Sequence, residues 1–297
     1  MKTKDKSSVS IIGAGRLGGA LAIALARKDY KIAALVTRKI ETATRIAQQI
    51  SPRPEIVTAE NLVKLPSSEI VFIAAPDPQI EPTAAVLAAN PNFNSETVFL
   101  HTSGSLSSDI LRKLNEKGAS VGSLHPLVSV SDSIAGAEKF ANAFFCVEGE
   151  RRAVAAAKQI AADLGGESFE INPEFKTLYH AAAVMTAGHL VALFDVAAQT
   201  LSDCGIEKTD ARRILLPLAQ SALENLGRQT PAAALTGTFA RADVETMRNH
   251  LAALQANETA LRVYVELGKR SLELAGEQGA DAVKLREMRL DLEKRGL

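Results

Sequence analysis

The residues best suited to moving a proton are two histidines, a serine and a lysine. His125 closes the apolar run Ser120–Leu124 and is followed by Pro126, while Ser103 follows the run Val98–His101 and precedes Gly104. An imidazole can exchange a proton with a substrate hydroxyl or amine, and a serine hydroxyl can orient the same group. Lys176 and His180 stand four apart within a helical pattern, so they share one face a turn apart. These four, Lys176, His180, His125 and Ser103, form the expected catalytic set. Plainer readings stand beside them: His125 as a polar strand end before proline, and Ser103-Gly104 as a tight turn ahead of a helix capped by Ser105 or Ser107. His189 lies nine positions past His180 and is expected to point the opposite way, toward core or a partner chain. Asp195 returns to the His180 side four turns on, too far to share its proton. His250 stands alone in a late helix and reads as structural. Cys146 and Cys204 are far apart, and no His, Asp or Glu grouping has metal-ligand spacing, so no metal is expected.

Hydride chemistry needs a carrier, and the first segment offers a seat for one. The strand-like run Val9–Ile12 leads straight into Gly13-Ala14-Gly15-Arg16-Leu17-Gly18 and then an alanine-rich helix. A GxGxxG pattern gains meaning from that strand-to-helix context. Gly13 permits the tight turn, Gly15 lets backbone approach a pyrophosphate, and Gly18 lets the helix pack closely on the strand. The helix N-terminus adds N–H groups and partial positive charge. The next strand ends in Thr37-Arg38-Lys39, where an NAD site would carry an acidic residue for the ribose hydroxyls. A guanidinium can instead grip a 2′-phosphate in a charge-assisted fork. NADP(H) is therefore expected. Ala75-Pro76-Asp77, after another buried strand, is expected beside the cofactor, although Asp77 could instead cap the following helix.

The elements that must hold these residues are legible as hydrophobic patterns. Short β-branched runs occur at Val9–Ile12, Ile32–Val36, Ile70–Ala74, Val98–His101, Ser120–Leu124, Ala143–Glu148 and Ser168–Ile171. Helical stretches alternate with them at Leu17–Lys28, Ile40–Ile50, Ile80–Ala89, Ser107–Lys117 and Arg151–Leu164. Apolar strands separated by helices predict an α/β domain with a Rossmann-type, mostly parallel sheet covered on both faces. Beyond Asn172–Pro173 the pattern is helical: Glu174–Ser202, Thr209–Leu226, and further helices begun by Thr230-Pro231, Asp243, Asn257 and Asp281. The expected division is a cofactor domain at 1–172 and an all-α domain at 173–297. Balanced charge, 34 Lys+Arg against 34 Asp+Glu, leaves no basic field for nucleic acid. A 46% hydrophobic content excludes a disordered chain, and two cysteines suit a reduced, cytoplasmic protein rather than a disulfide scaffold. Leu178–Ala198 is long enough to span a bilayer but carries His180, His189 and Asp195. It is read as a helix buried in a soluble core or a homodimer interface, with no membrane.

GAGRLG (13–18), HTSGSLSS (101–108), SLHPL (123–127), KTLYHAAAV (176–184) and LTGTFARAD (235–243) resemble a group of bacterial proteins provisionally described as NADP oxidoreductases. Those proteins join a Rossmann-like NADP-binding domain to a helical C-terminal domain of unknown function. The last motif departs from the group's TGP and RGD at Thr238 and Ala242, and position 189 is commonly Asn there. More widely the layout is similar to the 6-phosphogluconate, 3-hydroxyisobutyrate and ketopantoate enzymes, with pyrroline-5-carboxylate reductase alongside. That resemblance implies a catalytic role for Lys176, with His180 in the place of a superfamily Asn. His125-Pro126 resembles the His-Pro-Met of prephenate dehydrogenases, but Leu127 follows and no matching prephenate-binding arginine is seen. The expectation is a homodimeric NADP-dependent oxidoreductase acting on a small polar metabolite of hydroxyacid or carbonyl type. The alternatives are an imine-reducing or prephenate-type enzyme, and an NADP-binding sensor or scaffold without turnover.

Overall fold

The computed structural model describes residues 6–295. Eight strands are formed: β1 Ser8–Ile12, β2 Lys31–Thr37, β3 Glu55–Thr58, β4 Ile70–Ile73, β5 Val98–His101, β6 Ser120–Pro126, β7 Phe144–Gly149 and β8 Glu167–Glu170. They make one sheet in the order β3-β2-β1-β4-β5-β6-β7-β8. All neighbours are parallel except β6 and β7, where His125 lies opposite Cys146 and Ser123 opposite Glu148. The chain leaves β1 toward one edge and returns at β4 on its other side. This reversal opens the crevice beyond the strands' carboxyl ends in which such sheets take ligands.

Between strands lie α1 Arg16–Ala26, α2 Ile40–Ala47, α3 Asp77–Leu87, α4 Arg112–Asn115, α5 Ser133–Gly136 and α6 Arg151–Asp163. The two faces of the sheet fill by strict alternation. Val9, Ile11, Ile70, Phe72, Val98 and Leu100 enter one core with Leu21 and Leu25 of α1 and Ile160 of α6. Ile12, Val71, Ile73 and Phe99 enter the other with Ile80 and Leu87 of α3. A period of two with both sets apolar is what a sheet buried on both faces requires.

The helical remainder comprises α7 Lys176–Ser202, α8 Lys208–Leu226, α9 Pro231–Ala234, α10 Gly237–Ala240, α11 Val244–Ala253, α12 Glu258–Glu277 and α13 Ala282–Glu293. Two compact units, 1–185 and 186–297, divide within α7. The second has its own core of Met247, Leu251, Val265, Leu272, Met288 and Leu292 from α11, α12 and α13. All four expected caps are made: Thr230, Asp243, Asn257 and Asp281 each accept a backbone N–H of the following turn. The reading of α7 as a core helix is corrected. Of its most apolar window, in the helical stretch Pro173–Ser202 with mean hydropathy 1.6, only 6% is buried. His189 and Asp195 are exposed, and Asp195 pairs with Lys208 at 3.7 Å.

Candidate active site

The β1–α1 turn shows why its glycines are needed. Gly13 has φ +93°, and a Cβ there would come 2.5 Å from the Ala74 carbonyl oxygen. A Cβ on Gly18 would meet the Gly13 oxygen at 2.3 Å. Around Gly15 the space is open, the nearest atom to an added Cβ being 4.0 Å away. The first and third glycines thus close the turn against strand and helix, while the second leaves room for a group to reach the backbone. Gly15 occupies the N-cap position of α1, whose first N–H groups have no partner within the helix.

A cleft of about 640 Å³ runs along the carboxyl edge from this turn, within the usual range for a cofactor or drug-sized ligand. Of the expected cofactor residues, Gly13, Ala14, Gly15, Leu17, Thr37, Arg38, Lys39, Ala75, Pro76 and Asp77 line it. Gly18 lies buried beneath, and the exposed Arg16 is not on its wall. Thr42, Ala59, Gln79 and Thr83 also line the cleft and were not anticipated. Thr37 folds the end of β2: its hydroxyl accepts the Lys39 N–H and donates to the Lys39 carbonyl, each at 3.0 Å. That turn presents Arg38 and Lys39 as exposed cations with no ion pair among the described residues. Asp77 does not cap α3. Pro76 holds the N-cap position, Pro78 fits the first turn, and the Asp77 carboxylate accepts the Ser105 hydroxyl at 2.7 Å.

At the far end stand Thr102, Ser103, Gly104, His125 and His180. Ser103 is used twice. Its N–H donates to His101 Nδ1 at 3.2 Å, and its Oγ accepts the Ser105 and Leu106 N–H groups at 3.2 Å. The serine turn is therefore real, and it puts Gly104 against both histidines. A Cβ on Gly104 would lie 2.4 Å from His180 Cδ2 and 2.8 Å from His125 Nε2. The His125 and His180 rings meet edge to face, with centroids 5.8 Å apart. Burial, helped by the positive charge of Lys176 and by His180, pulls the His125 imidazole down to about 4. His101, fully buried at the end of β5, is pulled to about 3 by burial and then by Lys176.

Lys176 departs from expectation. Its side chain is 1% exposed and absent from the cleft wall. Nζ donates to Ser123 Oγ at 2.8 Å and to the Ser103 carbonyl at 3.3 Å, and lies 3.8 Å from Glu148 Oε1. Glu148, equally buried, also accepts the Ser108 N–H at 3.0 Å and the Ser108 hydroxyl at 2.8 Å. Burial lowers the Lys176 pKa, and the ammonium is bound to the carbonyl of the serine turn instead of facing the cleft. Two further residues escaped the sequence reading. Glu148 looked like one more strand residue, and its burial depends on segments far away in sequence. Tyr179 hydrogen-bonds His125 Nδ1 through its hydroxyl at 2.6 Å; the available signal was its place between Lys176 and His180.

Residues 2–126 match the model of a Rossmann-like domain, and residues 143–271 match the family described as a domain of unknown function, DUF2520. The chain thus joins a Rossmann-like domain to a DUF2520 domain. Its fold is similar to that of a Bacteroides fragilis protein provisionally described as an NADP oxidoreductase, at 22% identity and TM-score 0.74, covering 91% of this chain and 99% of that one. It is also similar to a Thermotoga maritima protein at 24% identity and TM-score 0.71, with the same coverages. A pyrroline-5-carboxylate reductase from Streptococcus pyogenes aligns at 15% identity and TM-score 0.59 over 92% of this chain and 99% of that one. No curated protein sequence matches the chain.

Proposed function

We propose that this chain is an NADP(H)-dependent oxidoreductase that moves a hydride between the nicotinamide and a carbonyl or imine carbon of a small polar metabolite. The observation that carries the reading is one continuous cleft, with a glycine turn and two cations unpaired among the described residues at one end and His125, His180 and Ser103 at the other. Solved neighbours of the same fold include proteins described as an NADP oxidoreductase and a pyrroline-5-carboxylate reductase, which supports the reaction class.

The residues present fit the cofactor. Gly13, Ala14 and Gly15 with the start of α1 would hold the pyrophosphate, and Arg38 with Lys39 would hold the 2′-phosphate. When bound, the cofactor supplies or accepts the hydride at C4 of its nicotinamide. The protein must then manage a proton or hydrogen bond at the substrate heteroatom. His125 serves there, because it faces the cleft through Nε2 and is neutral at physiological pH. Lys176 acts as a positioning residue: with Glu148 and Ser123 it fixes the Ser103 turn, so the proton role expected of it passes to His125. In this reading residues 1–172 are the cofactor domain and 173–297 the helical substrate and dimerisation domain.

The exposed apolar surface of α7 is read as the dimer interface rather than a membrane span, although the helix is long and apolar enough to cross one. Its first residue is locked beneath the sheet edge, and polar His180, His189 and Asp195 punctuate it. The test of the proposed activity is oxidation of NADPH against a panel of small ketones, aldehydes and cyclic imines. Consumption with at least one compound supports the reading, and tight NADPH binding without consumption would favour a sensor.

A further inference from the structure

We propose that Tyr179 is a positioning residue that fixes His125 as the tautomer carrying its proton on Nε2, so that the imidazole meets the substrate as a hydrogen-bond donor. The inference rests on the assignment of His125 to the reacting heteroatom and adds the direction in which it acts. The geometry is specific. The Tyr179 hydroxyl lies 2.6 Å from His125 Nδ1, with the two rings perpendicular and their centroids 5.6 Å apart. Phe169 packs against the phenol at 5.9 Å, which limits its freedom to swing away. Nε2, on the other side of the imidazole, looks at Gly104 and the cleft.

A count of protons gives the direction. The phenol has one hydrogen and two neighbours, the imidazole and the Cys146 thiol. Burial keeps both phenol and thiol protonated by raising their pKa values. The imidazole nitrogen is a strong acceptor, whereas sulfur is a weak one. The phenolic hydrogen therefore goes to Nδ1, and the thiol hydrogen is free to point at the phenolic oxygen. Nδ1 used as an acceptor leaves the proton on Nε2. The opposite tautomer would give its Nδ1 hydrogen to the phenolic oxygen, a poorer acceptor than the imidazole nitrogen, and turn the phenol, the best donor of the three groups, toward sulfur, the weakest acceptor. The other titratable groups facing His125 are Lys176 and His180 from α7, Asp77 from the start of α3, and His101 on the neighbouring strand. A neutral imidazole presenting Nε2–H polarises an acceptor. The substrate class that it selects has a lone pair at the reacting atom, a carbonyl oxygen or an unprotonated imine nitrogen, rather than an ammonium.

The test is the ¹⁵N spectrum of histidine-labelled full-length protein, free and with NADP⁺. With five histidines in the chain, the His125 signals are identified by their loss in His125→Asn. The proposal expects a protonated Nε2 and an unprotonated Nδ1 at neutral pH. In Tyr179→Phe the tautomers should mix and the His125 pKa should rise by roughly half a unit to one unit, because the neutral ring loses its donor. Cys146→Ala should leave the tautomer unchanged. A protonated Nδ1 in the wild type would overturn the proposal, and that measurement stands even if Tyr179→Phe fails to fold. Identical His125 signals and titration in Tyr179→Phe would overturn it too. Failure of NADPH to turn over would reject the oxidoreductase reading and leave this result intact.

Discussion

In the proposed reading, Arg38 is the residue on which cofactor choice turns. It leaves β2 where an acidic side chain would select the unphosphorylated ribose, and the Thr37 turn holds its backbone toward the cleft. With no carboxylate paired to it among the described residues, its charge remains available to a 2′-phosphate. A charge-assisted bond of this kind contributes about 1.5–3 kcal/mol. Arg38→Ala should therefore weaken NADPH binding roughly 10- to 150-fold and hardly alter NADH binding. Fluorescence titration of both reduced cofactors checks this, and equal affinities unaffected by the substitution would remove the case for NADP selectivity. Lys39, next in the chain, is expected to add a smaller, more salt-sensitive share, since a flexible ammonium is a point charge rather than a fork.

At the scale of elements, the ends of β5 and β6 carry two histidines that the fold keeps neutral. Their imidazoles sit at about 3 for His101 and about 4 for His125, against an ordinary 6.5. The unfolded chain takes up these protons near pH 6.5 and the folded chain does not. Their contribution is complete above pH 6.5 and is lost as the pH falls from there toward 4 for His125 and toward 3 for His101. Each costs about 1.4 kcal/mol per pH unit within that window. Urea midpoints measured from pH 7 to pH 5 should fall steeply, and His101→Asn with His125→Asn should flatten the slope. A pH-independent midpoint in the wild type would contradict the burial described here.

The same elements show what the sequence discloses and what it hides. Helix starts were legible at Thr230, Asp243, Asn257 and Asp281 because a cap is a local bond between a side chain and the next turn. The glycine turn was legible for the same reason. Strand β3, only Glu55–Thr58, was missed because it is short and two of its four residues are polar. Nor does local pattern show that β7 runs against β6, since direction is decided by pairing between distant segments. The segment expected as one helix at 107–117 is instead a 3₁₀ turn at Ser108–Leu111 followed by α4. The place of Lys176 was the largest miss at the site. Its spacing to His180 was right, but its partners Glu148, Ser123 and the Ser103 carbonyl come from three other stretches of chain.

For the whole molecule, the outstanding feature is apolar surface. Leu178 and Val191 of α7 are 71% and 70% exposed, and Leu218 of α8 is 68% exposed. Isolated exposed leucines are ordinary, but long helices presenting many of them mark an interaction surface. A second copy is the occupant proposed above, because homo-oligomers with two-fold symmetry are the commonest way a chain covers such a face. Sedimentation at micromolar concentration should give twice the chain mass, and Val191→Lys with Leu218→Lys should shift it toward one. A wild-type monomer under those conditions would contradict the interface.

The central claim is that the cleft performs hydride transfer with His125 at the reacting atom. It is tested most directly by supplying NADPH deuterated at C4, on the transferred face, with each carbonyl or imine compound of the panel. The product is then examined for deuterium in the wild type and in His125→Asn. The account predicts one deuterium on the reduced carbon of a wild-type product. It also predicts turnover lowered roughly 10²- to 10⁴-fold in His125→Asn, with NADPH affinity unchanged. Deuterium found in no product, or a His125→Asn protein as fast as the wild type on a genuine substrate, would contradict it.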